Sequence, residues 1–361
     1  MKILYIASQN VVGHLEIWQQ IHALRGNECR YVTYFPSAYG FQEDICLHLP
    51  LVPHTSLPIR LRHYLYTLTK GRQGNWFELP GDPPIWQPKH VFEQAFFSFR
   101  DRLWRFWVEP AIKKHGLMDF DIYHLEGGLE FYRHGGFARR LADLGKPILN
   151  TYHGTDFRNR GVVSAVDKHI RLNLTSEADL LPRHPNLRYL FLPFDVQACQ
   201  QHQQLHEPIT ICHATRNRYV KGSDAIIDAC RALEQSHGVR FILIESQPHD
   251  VTLALKAEAD IYIDQVANLA PGYGMNSVEA MALGLACVTN MGDDYRALMP
   301  DHPFVDVTPD NLLSQLTELV ENPDQIIERG QAARSWAESH HDLAAAGDQL
   351  YGYYRQLGIA N

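Results

Sequence analysis

Short apolar runs alternate along this chain with stretches whose apolar residues recur at helical spacing. Residues 2–7, Lys-Ile-Leu-Tyr-Ile-Ala, predict a first strand. Gly13 opens a turn into a helix over 15–24, Gly26 stops it, and residues 30–35 read as a second strand. A strand, helix and strand in that order imply parallel strands covered by helices. Residues 36–90 are rich in Pro, Gly and aromatics with few regular periods, and a long insertion of this kind in a compact domain is usually functional or mobile. A helix is predicted over 91–115. Strands follow at 121–125 and 147–152, around a helix over 137–144 that Gly145 ends, and shorter strands are expected at 169–175 and 187–192. The Gln- and His-rich residues 196–206 read as a helical linker.

A second series begins at Pro208. Strands are expected at 209–213, 240–245, 261–264, 285–289 and near 304–307. Helices over 223–235 and 250–257 separate the first three, and Ile226, Cys230 and Leu233 share one face of the former. Helices continue to about residue 340, and 343–357 is again amphipathic. Two successive parallel α/β domains result, 1–195 and 196–342, with 343–361 a terminal helix packing back towards the first. Ligands of such sheets bind beyond the carboxyl ends of the strands.

Composition narrows the class. A chain of 361 residues accommodates two cores, and 45% hydrophobic with 20% charged residues is ordinary for a globular protein. The net charge of −8 argues against nucleic acid as a partner, because phosphate affinity comes from clustered Lys and Arg. Six cysteines show no Cys-x-x-Cys spacing and read as buried thiols of a reducing compartment. No apolar run reaches the roughly 18 residues that span a bilayer. The start is too short for a signal peptide, so a cytoplasmic location is expected. Twenty histidines include no His-x-x-x-His or His-x-x-Glu-His spacing, so no metal site is read from them, and Asp119-Phe120-Asp121 is expected to be solvated.

Two stretches carry chemistry. In Pro271-Gly272-Tyr273-Gly274-Met275-Asn276-Ser277-Val278-Glu279 a glycine turn runs into a helix, whose first amides and dipole suit a phosphate. Glu279, one turn in, is placed to accept from a sugar diol, as the acidic residue of a dinucleotide fold does. In His213-Ala214-Thr215-Arg216-Asn217-Arg218-Tyr219-Val220-Lys221-Gly222 three cations fall between a strand and a helix. Taken singly, each could be a solvated connection. Together they suit a nucleotide diphosphate, the cations and helix starts taking phosphate and the carboxylate taking ribose.

With these residues in view, the whole chain resembles the retaining glycosyltransferases of family four, most specifically in its C-terminal half. The resemblance implies the GT-B architecture, two Rossmann-like parallel-sheet domains facing a central cleft. Arg216 and Lys221-Gly222 match the family's Arg…Lys-Gly pair that neutralises the donor diphosphate. Glu279 matches the second Glu of its Glu-x7-Glu motif, and Gly272, Tyr273, Gly274, Met275 and Asn276 match the loop that holds donor phosphate and sugar. Thr151-Tyr152-His153-Gly154-Thr155-Asp156 looks like the His-Gly-Ser/Thr-Asp segment beside the transferred sugar, which gives His153 a catalytic and Asp156 a donor-binding role. Gly13 corresponds to the first glycine loop, and Glu126, Gly127 and Gly128 lie on the acceptor side. The family's first Glu falls on Pro271 here, so the donor sugar's hydroxyls lose their usual partner; Asp264-Gln265 are the substitutes nearest in sequence.

The implied activity is transfer of a hexose, with retention, from a nucleotide diphosphate sugar, UDP favoured, to a glycan or glycolipid hydroxyl in surface polysaccharide or glycoconjugate biosynthesis. It needs no metal and no cofactor beyond the donor. A nucleotide-sugar epimerase of the same fold, or a non-catalytic sugar-nucleotide binder, are the alternatives. Two basic, aromatic segments, 59–76 and 99–114, add an expectation of peripheral contact with anionic membrane at its inner face. The second belongs to the helix over 91–115, which carries Phe96, Phe97, Phe99, Trp104, Phe106 and Trp107 among Arg100, Arg102, Arg105, Lys113 and Lys114, and which reads first as a core-packed helix with a solvated basic edge.

Overall fold

The structure, a computed structural model, describes residues 1–37, 40–51, 79–88, 91–201, 204–269 and 271–359. It divides into two compact units, Met1–Leu190 with Leu350–Asn361, and Phe191–Gln349. The 59–76 segment lies outside the described residues.

The first unit is a seven-stranded sheet of β1 (Lys2–Ala7), β2 (Glu28–Thr33), β3 (Ile45–Cys46), β4 (Ile122–Glu126), β5 (Ile148–Tyr152), β6 (Leu172–Thr175) and β7 (Leu187–Tyr189), in the order β3-β2-β1-β4-β5-β6-β7. Every pairing is parallel, and β1 is central, Ile3 pairing with Cys29 on one side and Ile122 on the other. All of β4 and the last five residues of β1 are buried, which is why these strands read as unbroken apolar runs rather than alternation. Leu4, Ile6, Val32, Tyr123, Leu125, Phe131 and Phe137 belong to the core beneath the helices.

The second unit is a five-stranded parallel sheet of β8 (Thr210–Thr215), β9 (Arg240–Glu245), β10 (Ile261–Ile263), β11 (Ala286–Thr289) and β12 (Val305–Asp306), in the order β12-β11-β10-β8-β9. Its core joins Ile226, Cys230 and Leu233 of the helix Ser223–His237 to Ile211, Ile261, Ile263 and Val288. In both sheets the direction of winding reverses next to the first strand, between β1 and β4 and between β8 and β10. Such reversals open a crevice at the strands' carboxyl ends.

Three expectations need correction. No described residue of 196–206 is helical, because polar residues surround Val196 and Leu205 and leave no apolar face to bury. The insertion at 36–90 contains β3, a two-residue edge strand too short to show a period. The helix Val91–Lys114 is not a core helix for most of its aromatics: Trp104 is buried, whereas Phe92, Phe96, Phe99, Phe106 and Trp107 are exposed. Asp119 and Asp121 are exposed, and Asp121 accepts from the Lys2 amide at 2.8 Å. Among the described residues no helix is long and apolar enough to cross a membrane.

The terminal helix Leu343–Gln356 brings Tyr351 and Tyr354 into the first unit's core. There Tyr354 shares a 2.6 Å hydrogen bond with the buried ring of His124, and Tyr351 one of 2.9 Å with His22. The helix Pro323–His340 lies against the second unit's sheet through Gly330, where an added Cβ would stand 2.2 Å from the Gly284 carbonyl oxygen. Ala is a better helix former than Gly by about 1 kcal/mol, but here the collision is with backbone, which cannot step aside. Gly330→Ala should therefore lower stability by about 1–3 kcal/mol. Gly352→Ala should raise it slightly, since its nearest neighbour, an Arg355 guanidinium nitrogen, is 3.9 Å from the new methyl. Thermal melts of the two variants should shift in opposite directions.

Candidate active site

In the second unit the two chemistry-bearing turns leave adjacent strands at the point of reversal. Arg216 follows β8 and is exposed. Asn217 caps the short helix Arg218–Lys221, its side chain accepting from the Val220 amide at 3.3 Å. Gly222, at φ 70°, ends that turn because an added Cβ would meet Val266 at 2.9 Å. Arg218 is drawn aside by Glu245 at 2.6 Å. Lys221 turns the other way and donates to Asp264, which directly follows β10.

Asp264 joins the turns. Its Oδ1 takes Lys221, and its Oδ2 accepts from Ser277 Oγ at 2.7 Å and from the Gly274 amide at 3.3 Å. Burial alone would raise its pKa, but Lys221, Ser277 and Gly274 outweigh that and hold it below the usual carboxylate range. Gln265 donates to the Gly272 carbonyl at 3.0 Å. Asp264 and Gln265 therefore brace the glycine turn.

The turn itself is only partly what its sequence suggests. Gly272 has φ 102° and packs on Tyr295, whose ring would be 2.2 Å from a Cβ. Its amide is taken by the Asn290 carbonyl at 2.6 Å, so that amide is committed within the protein. Tyr273 is buried, its hydroxyl sharing a 3.0 Å hydrogen bond with His341, which leaves its backbone rather than its ring near the helix start. The helix Met275–Leu283, with half-buried Met275 and Asn276 in its first turn, opens beside Asp264, where the Gly274 amide is taken by Asp264 and the Ser277 amide by the Gly274 carbonyl at 2.9 Å.

Glu279 is almost wholly buried and already paired. Oε2 takes the Lys256 ammonium at 2.5 Å and Oε1 the His249 ring at 2.9 Å. Burial pushes its pKa up, and Lys256 and His249 outweigh that and bring it down. Lys256 is fully buried; it also donates to the Asn276 carbonyl and side chain at 3.1 and 2.7 Å and lies over the Tyr262 ring. His249, with 42% of its side chain exposed, is the partner a diol could displace.

In the first unit Gly13, at φ 73°, precedes the helix His14–Leu24 under Phe41, which would be 2.8 Å from a Cβ. Glu126 ends β4 and His153 follows β5. The His153 Nε2 lies 2.8 Å from Glu126 Oε2, and His14 Nε2 lies 3.3 Å from the same oxygen. The two imidazole rings meet edge to face at 5.5 Å. Burial works against charge on both Glu126 and His153. The histidines nonetheless hold Glu126 well below the carboxylate range, and Glu126 raises His153 well above that of a free imidazole. Gly127 and Gly128 both have φ 69°; a Cβ on the first would meet Asp156 at 2.7 Å, and on the second Tyr152 at 2.5 Å. Asp156 accepts from the His153 amide at 3.0 Å and opens the π-helical turn Asp156–Arg160. Local irregularity of this type recurs at functional sites.

Sequence reasoning thus picked out both glycine turns, but it missed His14, His249, Lys256 and the bracing role of Asp264. A carboxylate directly after an apolar strand, and a histidine opening the first helix after a glycine, are the signals that could have found Asp264 and His14. Lys256 and His249 stand in an ordinary helix, His249–Lys256, and carried no signal.

No protein-family model matches the chain, and no curated protein matches it in sequence. Solved structures do match it. One is Anabaena HepE in complex with UDP, 12% identical, covering 99% of this chain and 100% of that one with a TM-score of 0.57; its UDP-glucose complex gives 0.55. Another is an alpha-glucosyltransferase in complex with UDP and a 13-mer DNA containing a central A:G mismatch, 8% identical, covering 98% and 99% of the two chains with a TM-score of 0.59. At these identities the likeness is one of architecture along the full length: two parallel-sheet α/β domains of the GT-B type.

Proposed function

We propose that the chain transfers a hexose from a nucleotide diphosphate sugar, a UDP-sugar by preference, to a hydroxyl of a glycan or glycolipid, with retention of configuration. The observation that carries this reading is the meeting of the cationic turn and the glycine turn at Asp264, at the second sheet's point of reversal. Lys221, Arg216 and the helix start at Gly274 supply positive charge for a diphosphate, and Glu279 supplies an acceptor for ribose. The similar structures described with UDP or UDP-glucose fit the same donor.

In the transfer the bond from the sugar's C1 to the diphosphate oxygen breaks as the acceptor oxygen bonds C1 on the same face. The acceptor's proton passes to the leaving phosphate oxygen, so no carboxylate pair is required. Positioning and stabilisation of the leaving charge do the rest. Lys221 neutralises that charge while Asp264 fixes where the ammonium stands. The family resemblance assigns His153, Asp156 and Gly13 to the donor and Glu126, Gly127 and Gly128 to the acceptor. Because protein cations carry the diphosphate, that step needs no metal ion and no cofactor beyond the donor.

Incubation with a panel of nucleotide sugars, with free nucleotide as the readout, tests the reading. Interconverted sugars without release would make the protein an epimerase, and binding without turnover a sugar-nucleotide binder, which the Pro271 replacement would favour.

Lys221→Ala should lower kcat about a hundredfold, the effect of losing one transition-state stabiliser of about 3 kcal/mol. It also strands the buried carboxylate of Asp264, so melting should fall, by about 3 kcal/mol at the lower end for a broken buried pair. Adding Asp264→Asn should restore much of the melting temperature and none of the turnover. Recovery of both together would mean that Lys221 is only a structural counter-ion.

Glu279→Gln should raise KM more than it lowers kcat, because ribose is held before and during reaction. Unchanged nucleotide affinity by titration would leave the carboxylate a purely structural partner of Lys256.

The acceptor side adds the exposed Phe92, Phe96, Phe99, Phe106 and Trp107 beside exposed Arg102 and Arg105 on one helix. Aromatics suit the headgroup boundary, and each nearby cation adds about 1 kcal/mol of attraction to anionic lipid. The protein should therefore sediment with anionic vesicles at low salt, less at high salt, and not with neutral ones. Equal, negligible sedimentation with both would assign the acceptor to solution.

A further inference from the structure

The first unit contains a group whose members His153 and Glu126 carry roles in the proposed transfer, but whose joint arrangement with His14 that transfer does not explain. His14, Glu126 and His153 come from three separate segments: His14 opens the first helix, Glu126 ends β4 and His153 directly follows β5. Each offers one ligand-type atom, and the three atoms lie within 4.8 Å of one another. We propose that these three side chains form a binding site for a divalent transition-metal ion of the zinc or cobalt type.

The unpartnered buried atoms argue for this beyond proximity alone. His14 is 7% exposed, yet neither of its ring nitrogens has a hydrogen-bond partner, and neither has Glu126 Oε1. The His14 Nε2 stands 3.3 Å from Glu126 Oε2, a long contact that leaves the ring nitrogen without a well-formed hydrogen bond. Two bonds of about 2.0–2.1 Å to one tetrahedral ion set their ligand atoms about 3.3 Å apart. His153 Nε2 lies 2.8 Å from the same oxygen and all three ligand atoms fall within 4.8 Å, so gathering them around one ion opens this contact slightly and draws the widest pair together. Buried polar atoms without partners are rare and costly, and an ion would satisfy those facing it.

The ligand set selects the ion. Two imidazoles and one carboxylate suit zinc, cobalt, nickel or ferrous iron, whereas magnesium and calcium favour oxygen ligands throughout. Two neutral histidines and one carboxylate leave a divalent ion with a net charge of +1 and at least one open position. His153, with 37% of its side chain exposed, marks the side from which water or an anionic oxygen would reach it. The site lies wholly in the first unit, so it is additional to the cations assigned to the diphosphate in the second.

Chelator-treated full-length protein, titrated with Co2+ in the absence of nucleotide, tests the site. One equivalent should bind with the intense ligand-field absorption of a low-symmetry, four-coordinate ion, and Zn2+ should displace it. His14→Ala and His153→Ala should each weaken Co2+ binding at least about a hundredfold, since even outer partners of metal ligands cost 10–100-fold. Circular dichroism shows whether each variant is folded. If His14→Ala does not fold, the half-exposed His153→Ala carries the test. Absence of cobalt absorption in the wild-type protein would overturn the proposal. So would unchanged stoichiometry and affinity in the folded variants, which would assign the ion to other histidines.

Discussion

Asp264 is withdrawn completely from solvent, and a buried carboxylate keeps its charge only while cations and donors surround it. Much of the second unit's functional edge follows from that requirement. Lys221 must turn inward to reach it, which fixes the end of the cationic turn. Ser277 and the Gly274 amide must present themselves to its other oxygen, which fixes the start of the glycine helix. A single charge thus sets the separation of two turns that leave neighbouring strands.

The same arrangement recurs with different partners. Glu279 is buried one turn further along the helix and is matched by Lys256, itself without solvent contact, and by His249. Glu126 is buried at the first unit's point of reversal and is matched by two histidines. Asp264 and Glu126 sit at the carboxyl ends of parallel strands and Glu279 on the helix that follows one, and a pre-set field there acts on a ligand with little reorganisation. Their mutual pairing also means that a substitution at one of them acts on folding and on ligand at once.

Glycine serves two different purposes at these edges. Gly127, Gly128 and Gly272 have left-handed backbone and are pressed by Asp156, Tyr152 and Tyr295, so each is needed for the turn to close. Gly274 has no atom within 4 Å of an added Cβ, so the space beside the helix start is open. A glycine pattern alone does not distinguish a residue that admits a ligand from one that admits a neighbouring side chain.

Local rules were enough to place most elements of both parallel sheets, because central strands buried on two faces read as unbroken apolar runs and their helices keep one apolar face. They were also enough to pick out the turns at 216–222 and 271–276, where cations and glycines stand at strand ends. Elements with too few residues for a period, such as β3, were not legible, nor was the absence of helix in the polar stretch after Val196. Which partner each charge takes was decided by tertiary structure alone. Lys221 meets Asp264, Lys256 meets Glu279, and His14 and His153 share Glu126 only because the winding of the sheets brings separate strand ends together. Sequence spacing does not encode distances that arise from strand order, and burial, which makes those pairings obligatory, exists only once the chain has folded.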